Sequence, residues 1–130
     1  MIGIVIVAHG GLAQEYLSAI QHVIGGQKNM LAISIGPEDN RAVKQKEICD
    51  AADMVDTGAG VVIVTDLFGG SPSNLSLRAG APENRRILYG ANLPALIKLS
   101  KSRQLPVADA VRGAMEAGRK YIDTENVSLD

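Results

Sequence analysis

The sequence has a single cysteine, Cys49, among its 130 residues, and it has no tryptophan. One cysteine cannot form a disulfide within the chain, so the sequence predicts a protein of a reducing compartment, and we expect it to be cytoplasmic. The first apolar run is too short to span a membrane and has no basic segment before it. We therefore expect neither a membrane anchor nor a secretory signal in this run.

Aromatic residues and excess charge are also scarce. Three tyrosines and one phenylalanine make up 3% of the chain, which is too few for a stacking surface that binds single-stranded nucleic acid. The 13 basic and 14 acidic residues give a formal net charge of −1. Without a basic surplus, the sequence predicts neither nucleic acid nor an anionic membrane surface as a partner.

Short apolar runs do occur, and they alternate with segments of helical spacing. The apolar runs predict strands at Ile2–Ala8, Met30–Ile35, Gly60–Thr65 and Arg86–Tyr89. The spacing predicts helices at Leu12–Ile24, Arg41–Val55, Pro72–Arg78, Leu93–Ser100 and Val107–Ile122. We expect Val23 on the buried stripe of the first helix and Val43 on that of the second.

This alternation is typical of an α/β fold with a parallel sheet. We predict a three-layer domain, 1–122, in which a four-stranded, mainly parallel sheet of order 2-1-3-4 has helices on both faces. The polar segment 123–130 is predicted to be a C-terminal tail. In this strand order the first and third strands are neighbours, and their connections leave in opposite directions. Ligands bind at such a switch point, beyond the carboxyl ends of the strands.

Two ionisable side chains fall at that point. His9 follows the first strand and precedes Gly10-Gly11, while Asp66 follows the third strand, three residues before a second glycine pair. We expect His9 and Asp66 to face each other. An imidazole nitrogen there can act as a nucleophile toward phosphorus. Asp66 can accept a hydrogen bond from one ring nitrogen and leave the other nitrogen to react.

Unpaired backbone amides at the start of the following helices predict an anion cradle. The candidate phosphate-binding residues are Gly10, Gly11, Gly70 and Ser71. The Ser71 hydroxyl can donate to a phosphate oxygen, although a plain N-cap is the alternative role. His9 can instead fill space at the rim of the core, and Asp66 can be a turn residue that bonds its own backbone. Phe68, in the same loop, either folds onto the core or serves as an apolar contact for docking partners.

The strand ending in Ala-His9-Gly and the stretch Asp66-Leu-Phe-Gly-Gly-Ser71-Pro-Ser-Asn74 resemble the mannose-family IIA domain of the bacterial phosphoenolpyruvate-dependent sugar phosphotransferase system. The resemblance covers about residues 1–120. It implies that His9 is phosphorylated on Nε2 by the phosphocarrier protein HPr and passes the group to a histidine of a IIB component. It further implies that Asp66 is the partner of the histidine and that Ser71 contacts the phosphate.

The resemblance also implies a four-stranded parallel sheet, a homodimer, no metal or nucleotide cofactor, and an indirect association with a membrane permease. We expect a free-standing IIA component, because no linker or fused IIB domain follows the last predicted helix. Three other hypotheses remain open. These are a regulatory protein whose phosphorylation reports phosphotransferase flux, a IIA-like domain that feeds dihydroxyacetone kinase, and a flavodoxin-type binder of small anions. The sequence does not identify a sugar.

Overall fold

Four strands and five helices form the part of the chain that the computed structural model describes, residues 1–129. In chain order they are β1 (Gly3–His9), α1 (Leu12–Ile24), β2 (Met30–Ile35), α2 (Arg41–Val55), β3 (Val61–Thr65), α3 (Ser71–Ser76), β4 (Arg85–Leu88), α4 (Leu93–Lys101) and α5 (Val107–Lys120). None of these helices combines the length and the hydropathy that a bilayer crossing requires.

The strands form one sheet of order β2-β1-β3-β4, and every neighbouring pair is parallel. The predicted α/β class and strand order are confirmed. β1 and β3 occupy the centre, with Ile6 of β1 opposite Val64 of β3. Because the carboxyl ends of parallel strands lie at the same edge of a sheet, the residues after β1 and β3 emerge side by side.

Side chains of the central strands alternate between two cores, one on each face of the sheet. On one face the strand residues pack with α1, α4 and α5, and on the other with α2 and α3. In β1, for example, Ile4 and Ile6 point to the first core and Val5 and Val7 to the second. Strands buried on both faces have no polar side, which explains their uninterrupted apolar sequence.

Two predicted core positions are wrong. Val43 is 62% exposed and Val23 is 54% exposed. Val43 lies five residues before the buried Ile48, which at 3.6 residues per turn places it about 140° around α2 from that residue. Val23 lies about 60° around α1 from the buried Ile20, at the margin of the apolar face.

The ends of several elements also differ from the prediction. β1 extends to His9, which pairs with Ile35 of β2, so the histidine belongs to the strand itself. Residues 122–129 form neither helix nor strand and are exposed. The predicted tail also includes Asp130, which lies outside the described residues. The division into a domain, 1–122, and a tail stays a prediction.

Asn92 caps α4 and also joins α4 to α5. Its Oδ1 accepts a hydrogen bond from the Ala95 amide at 3.0 Å, and its Nδ2 donates to the Gly118 carbonyl at 2.9 Å. We expect Asn92→Ala to lower the free energy of unfolding by about 1–2 kcal/mol in urea titrations, because both bonds are lost. Asn92→Ser keeps a capping oxygen and should recover part of the loss. Equal stability of Asn92→Ala and the wild type would contradict this account.

Candidate active site

His9 and Asp66 meet at the carboxyl edge of the sheet. His9 is the last residue of β1, and Asp66 follows the last residue of β3. Nδ1 of His9 lies 2.9 Å from Oδ2 of Asp66. The same oxygen accepts a hydrogen bond from the His9 backbone N–H at 3.0 Å. One carboxylate oxygen therefore holds both the backbone and the ring of His9, and the expectation that these residues face each other is confirmed.

The second oxygen of Asp66 is also bonded, because Oδ1 accepts from the Leu67 amide at 2.9 Å. Burial alone raises the pKa of the Asp66 carboxyl. The hydrogen bonds from the backbone and ring of His9, together with the charge of that ring, outweigh burial and place the pKa of Asp66 below its ordinary value. Asp66 is therefore ionised at neutral pH.

The ring of His9 is partly open to solvent. Its side chain is 48% exposed, whereas that of Asp66 is 10% exposed. An ionised carboxylate is a hydrogen-bond acceptor only, so the nitrogen that faces it, Nδ1, carries the ring proton. In a neutral ring with this tautomer, Nε2 keeps its lone pair. The arrangement leaves Nε2 as the nucleophilic nitrogen.

Gly70 brings the loop after β3 back against the His9 ring. A Cβ atom placed at residue 70 would lie 3.2 Å from Cε1 of His9 and 3.6 Å from Nε2. The backbone of Gly70 is extended, with φ −85° and ψ 177°, so no unusual dihedral requires a glycine here. The reason for glycine is the space beside the ring, which any side chain would reduce next to Nε2.

Ser71 does not cap α3, contrary to one alternative from the sequence. The helix starts one residue earlier than predicted, with Gly70 as its N-cap and Ser71 as its first residue. Ser73 instead accepts a hydrogen bond on Oγ from the Gly69 amide at 3.3 Å. The sequence analysis missed Ser73. The available signal was its position three residues after Gly70, because side chains there commonly reach back to amides that precede a helix.

The turn after β1 uses its two glycines differently. Gly10 has φ +56°, a left-handed conformation that favours glycine, and its amide donates to the Ile35 carbonyl of β2 at 3.0 Å. Gly11 is the N-cap of α1, and its carbonyl accepts the first helical hydrogen bond, from the Glu15 amide at 3.1 Å. Of these two glycine amides, the one at Gly10 is thus already occupied by an acceptor within the chain.

Phe68 does not fold onto the core, which corrects one of the two expectations for it. Its side chain is 79% exposed, and the neighbouring Leu67 is 57% exposed. The Phe68 ring meets the Tyr89 ring edge to face, with centroids 5.0 Å apart and planes at 82°. Such pairs are favoured by the ring quadrupoles and steady the loop without burying it. An apolar surface therefore follows Asp66 directly.

The lowered pKa of Asp66 makes stability depend on pH. We expect Asp66→Asn to lower the free energy of unfolding by about 1 kcal/mol at about pH 7, because a charge-assisted hydrogen bond is lost. The wild type has this stabilisation above about pH 4, the ordinary aspartate range, and loses it as the pH falls through the lowered pKa. Urea titrations should therefore show the gap between the two proteins closing in acid. Asp123→Asn, at an exposed position, is the control and should follow the wild type. A gap that stays constant with pH would contradict the assignment.

Comparisons with known proteins identify the family of this chain. The family model EIIA-man, described as "PTS system fructose IIA component", matches residues 3–116. The mannose-specific EIIAB component of the phosphotransferase system (PTS) of Escherichia coli strain K12 is 30% identical over 124 residues. That alignment covers 93% of this chain and 38% of the relative, so the chain spans well under half the length of the relative.

Solved structures show the same architecture. Phosphotransferase system component EIIA from Streptococcus agalactiae matches with a TM-score of 0.85 at 26% identity, covering 95% of this chain and 97% of that one. The mannose/sorbose specific IIA subunit from Enterococcus faecalis matches with a TM-score of 0.82 at 23% identity, covering 98% and 97%, which shows the fold alone. With a family model that matches nearly the whole chain and a site at the expected strand ends, this chain belongs to the mannose family of IIA components of the sugar phosphotransferase system.

Proposed function

We propose that this chain is a phosphoryl carrier of the sugar phosphotransferase system, acting through a phosphohistidine intermediate. HPr donates a phosphoryl group to His9, and a IIB component then receives it. Membership of the family supports the class of reaction. The observation that carries the proposal is the half-exposed imidazole whose Nδ1 is bound by Asp66, with Nε2 left to react.

The chemistry follows from the tautomer. The Nε2 lone pair attacks the phosphorus of the phosphohistidine on the donor, and the donor's own P–N bond breaks as the new one forms. Because Nδ1 keeps its proton, the attack places positive charge on the His9 ring. The Asp66 carboxylate, 2.9 Å from Nδ1, stabilises that charge, much as the aspartate of a catalytic triad stabilises an imidazolium. Transfer to a IIB histidine reverses the step, with Nε2 as the leaving group.

We assign phosphate contacts to the residues around the ring. These are Gly11 in the turn after β1, and Gly70 and Ser71 at the start of α3. Gly10, the fourth residue predicted from the sequence, shapes the turn instead, because its amide already donates to the Ile35 carbonyl. The first helical bond of α1 ends at Gly11, so the amides that directly follow Gly11 have no acceptor within the helix. The Ser71 hydroxyl makes no hydrogen bond within residues 1–129, so it can donate to a phosphate oxygen. Asp66 would repel the phosphate and serves the ring instead.

The absence of basic side chains from the two segments that follow β1 and β3 fits a phosphoryl carrier. Neither 9–11 nor 66–74 contains lysine or arginine. Amides and a hydroxyl stabilise a phosphoryl group moderately, whereas a guanidinium fork would hold it through two charge-assisted hydrogen bonds. A protein that must receive a group and then release it is served by the weaker set of contacts.

We propose Phe68 as a docking contact for the protein partners. Its exposed ring and the exposed side chain of Leu67 follow Asp66 directly, so a partner that reaches His9 also reaches this apolar surface. HPr and the IIB component would use it in turn. The homodimer and the indirect association with a membrane permease stay predictions.

Incubation with phosphoenolpyruvate, enzyme I and HPr should label the wild type with one acid-labile, alkali-stable phosphate. We expect His9→Ala to abolish the labelling, because the chain would have lost its reacting nitrogen. The chain has two histidines, and the other, His22, is exposed on α1, so His22→Ala is the matched control and should label normally. Labelling of His9→Ala at the wild-type rate would refute the proposal.

Truncation of Phe68 should weaken docking and leave the fold intact. We expect Phe68→Ala to lower kcat/KM for transfer from phospho-HPr by roughly tenfold, the typical effect of losing an interface aromatic residue. Its urea midpoint should stay close to that of the wild type, because the ring is 79% exposed. Met54→Ala, at a 74% exposed position on α2, is the control for loss of a large exposed apolar side chain. Equal kcat/KM values for both variants and the wild type would exclude Phe68 from the docking surface.

A further inference from the structure

Tyr16 makes a long-range hydrogen bond that no sequence pattern predicts. It lies on α1, partly buried against the core beneath that helix. Its hydroxyl donates a hydrogen bond to the Ala91 carbonyl at 3.1 Å. Ala91 follows β4, and its own amide donates to the Thr65 carbonyl at 2.9 Å. Thr65 is the last residue of β3 and directly precedes Asp66.

These contacts connect the two reacting segments by a second route. The first route is direct, from His9 to Oδ2 of Asp66. The second runs from His9 along the chain into α1, through Tyr16 to Ala91, and from Ala91 to the residue before Asp66. The two routes form a closed loop of covalent and hydrogen-bonded links around the site.

The second route restrains the short connection between β1 and α1. Only Gly10 and Gly11 separate His9 from α1, and glycine restrains the backbone less than any other residue does. Beyond the hydrogen bond from the Gly10 amide to Ile35 and the apolar packing of α1, this connection therefore does little to fix α1 relative to His9. The Tyr16 hydroxyl supplies a tertiary restraint that acts on the same helix from the side of β3.

The hydroxyl can fill this role because it stays protonated. Partial burial of Tyr16, and after it the negative charge of Asp66, raise the pKa of the phenol above its ordinary value. A protonated phenol is the form that donates to a carbonyl.

We propose that Tyr16 is a positioning residue for the His9–Asp66 pair. By tying α1 to the end of β3 through Ala91, its hydroxyl keeps the His9 ring in the orientation in which Nδ1 donates to Asp66. The consequence for the rate rests on the proposed phosphoryl transfer to His9. The consequence for the orientation of the ring does not, because it concerns the unphosphorylated protein.

The test is Tyr16→Phe, which keeps the ring and removes the hydroxyl. Nitrogen-15 NMR of the His9 ring should show the ratio of the Nδ1-protonated to the Nε2-protonated tautomer falling by roughly threefold to tenfold, the range that corresponds to one net hydrogen bond. Phosphorylation by HPr should show a similar fall in kcat with KM unchanged, because the hydroxyl lies outside the docking surface. Tyr121→Phe, at an exposed tyrosine on the C-terminal side of α5, is the matched control and should change neither readout.

A folded Tyr16→Phe protein with the wild-type tautomer ratio and kcat would overturn the proposal. If Tyr16→Phe loses its fold, Tyr16→Leu places an aliphatic side chain on the same apolar face and is measured by the same two readouts. If the wild type is not phosphorylated by HPr at all, the proposed function fails. The tautomer ratio then still decides the role of Tyr16 by itself.

Discussion

Two N–H groups of His9, one from the backbone and one from the ring, share a single oxygen of Asp66. The backbone bond matters as much as the ring bond, because it ties the carboxylate to the end of β1 whatever the imidazole does. The ring then binds to an acceptor that the sheet has already placed. The orientation of the imidazole thus depends first on the geometry of two central strands, to which the proposed role of Tyr16 adds.

The layered architecture serves that arrangement. The apolar faces of β1 and β3 are covered by helices on both sides, so the strands are held firmly along their length. At the carboxyl edge the covering helices end. The segments that follow β1 and β3 leave the sheet there in opposite directions. Gly70 lies beside the His9 ring there, and the exposed Phe68 follows Asp66 by two residues. An open site at the edge of a packed sheet suits the proposed function, in which two proteins reach His9 in turn.

The sequence was informative where burial decides structure. The run Val61–Thr65 has no polar face, and such a strand fits only inside a parallel sheet, which together with the alternation of elements leads to the strand order and to the meeting of His9 with Asp66. The sequence was less informative where a few hydrogen bonds decide. Whether Ser71 or its neighbour caps α3 depends on where the chain turns back over His9. The exposure of Phe68 depends on a ring that lies more than twenty residues further along the chain, at Tyr89.

Tyr16 is a second example of a contact that the sequence pattern does not predict. Helical spacing places Tyr16 one turn before the buried Ile20, on the apolar face of α1, but that spacing says nothing about the end of the side chain. The hydroxyl finds its acceptor in a segment 75 residues away, and no local pattern records that pairing. Amphipathic side chains of this kind satisfy the core and a polar contact at once, so an assignment to the core describes only half of what they do.

The partial exposure of the His9 ring also affects the lifetime that the proposed phosphohistidine would have. Under the proposed function, the exposure of nearly half of the imidazole would admit water as well as an incoming protein to a P–N bond formed at Nε2. Within residues 1–129, the ring is therefore only partly covered. If the proposal holds, transfer to the acceptor protein competes with hydrolysis of the phosphohistidine.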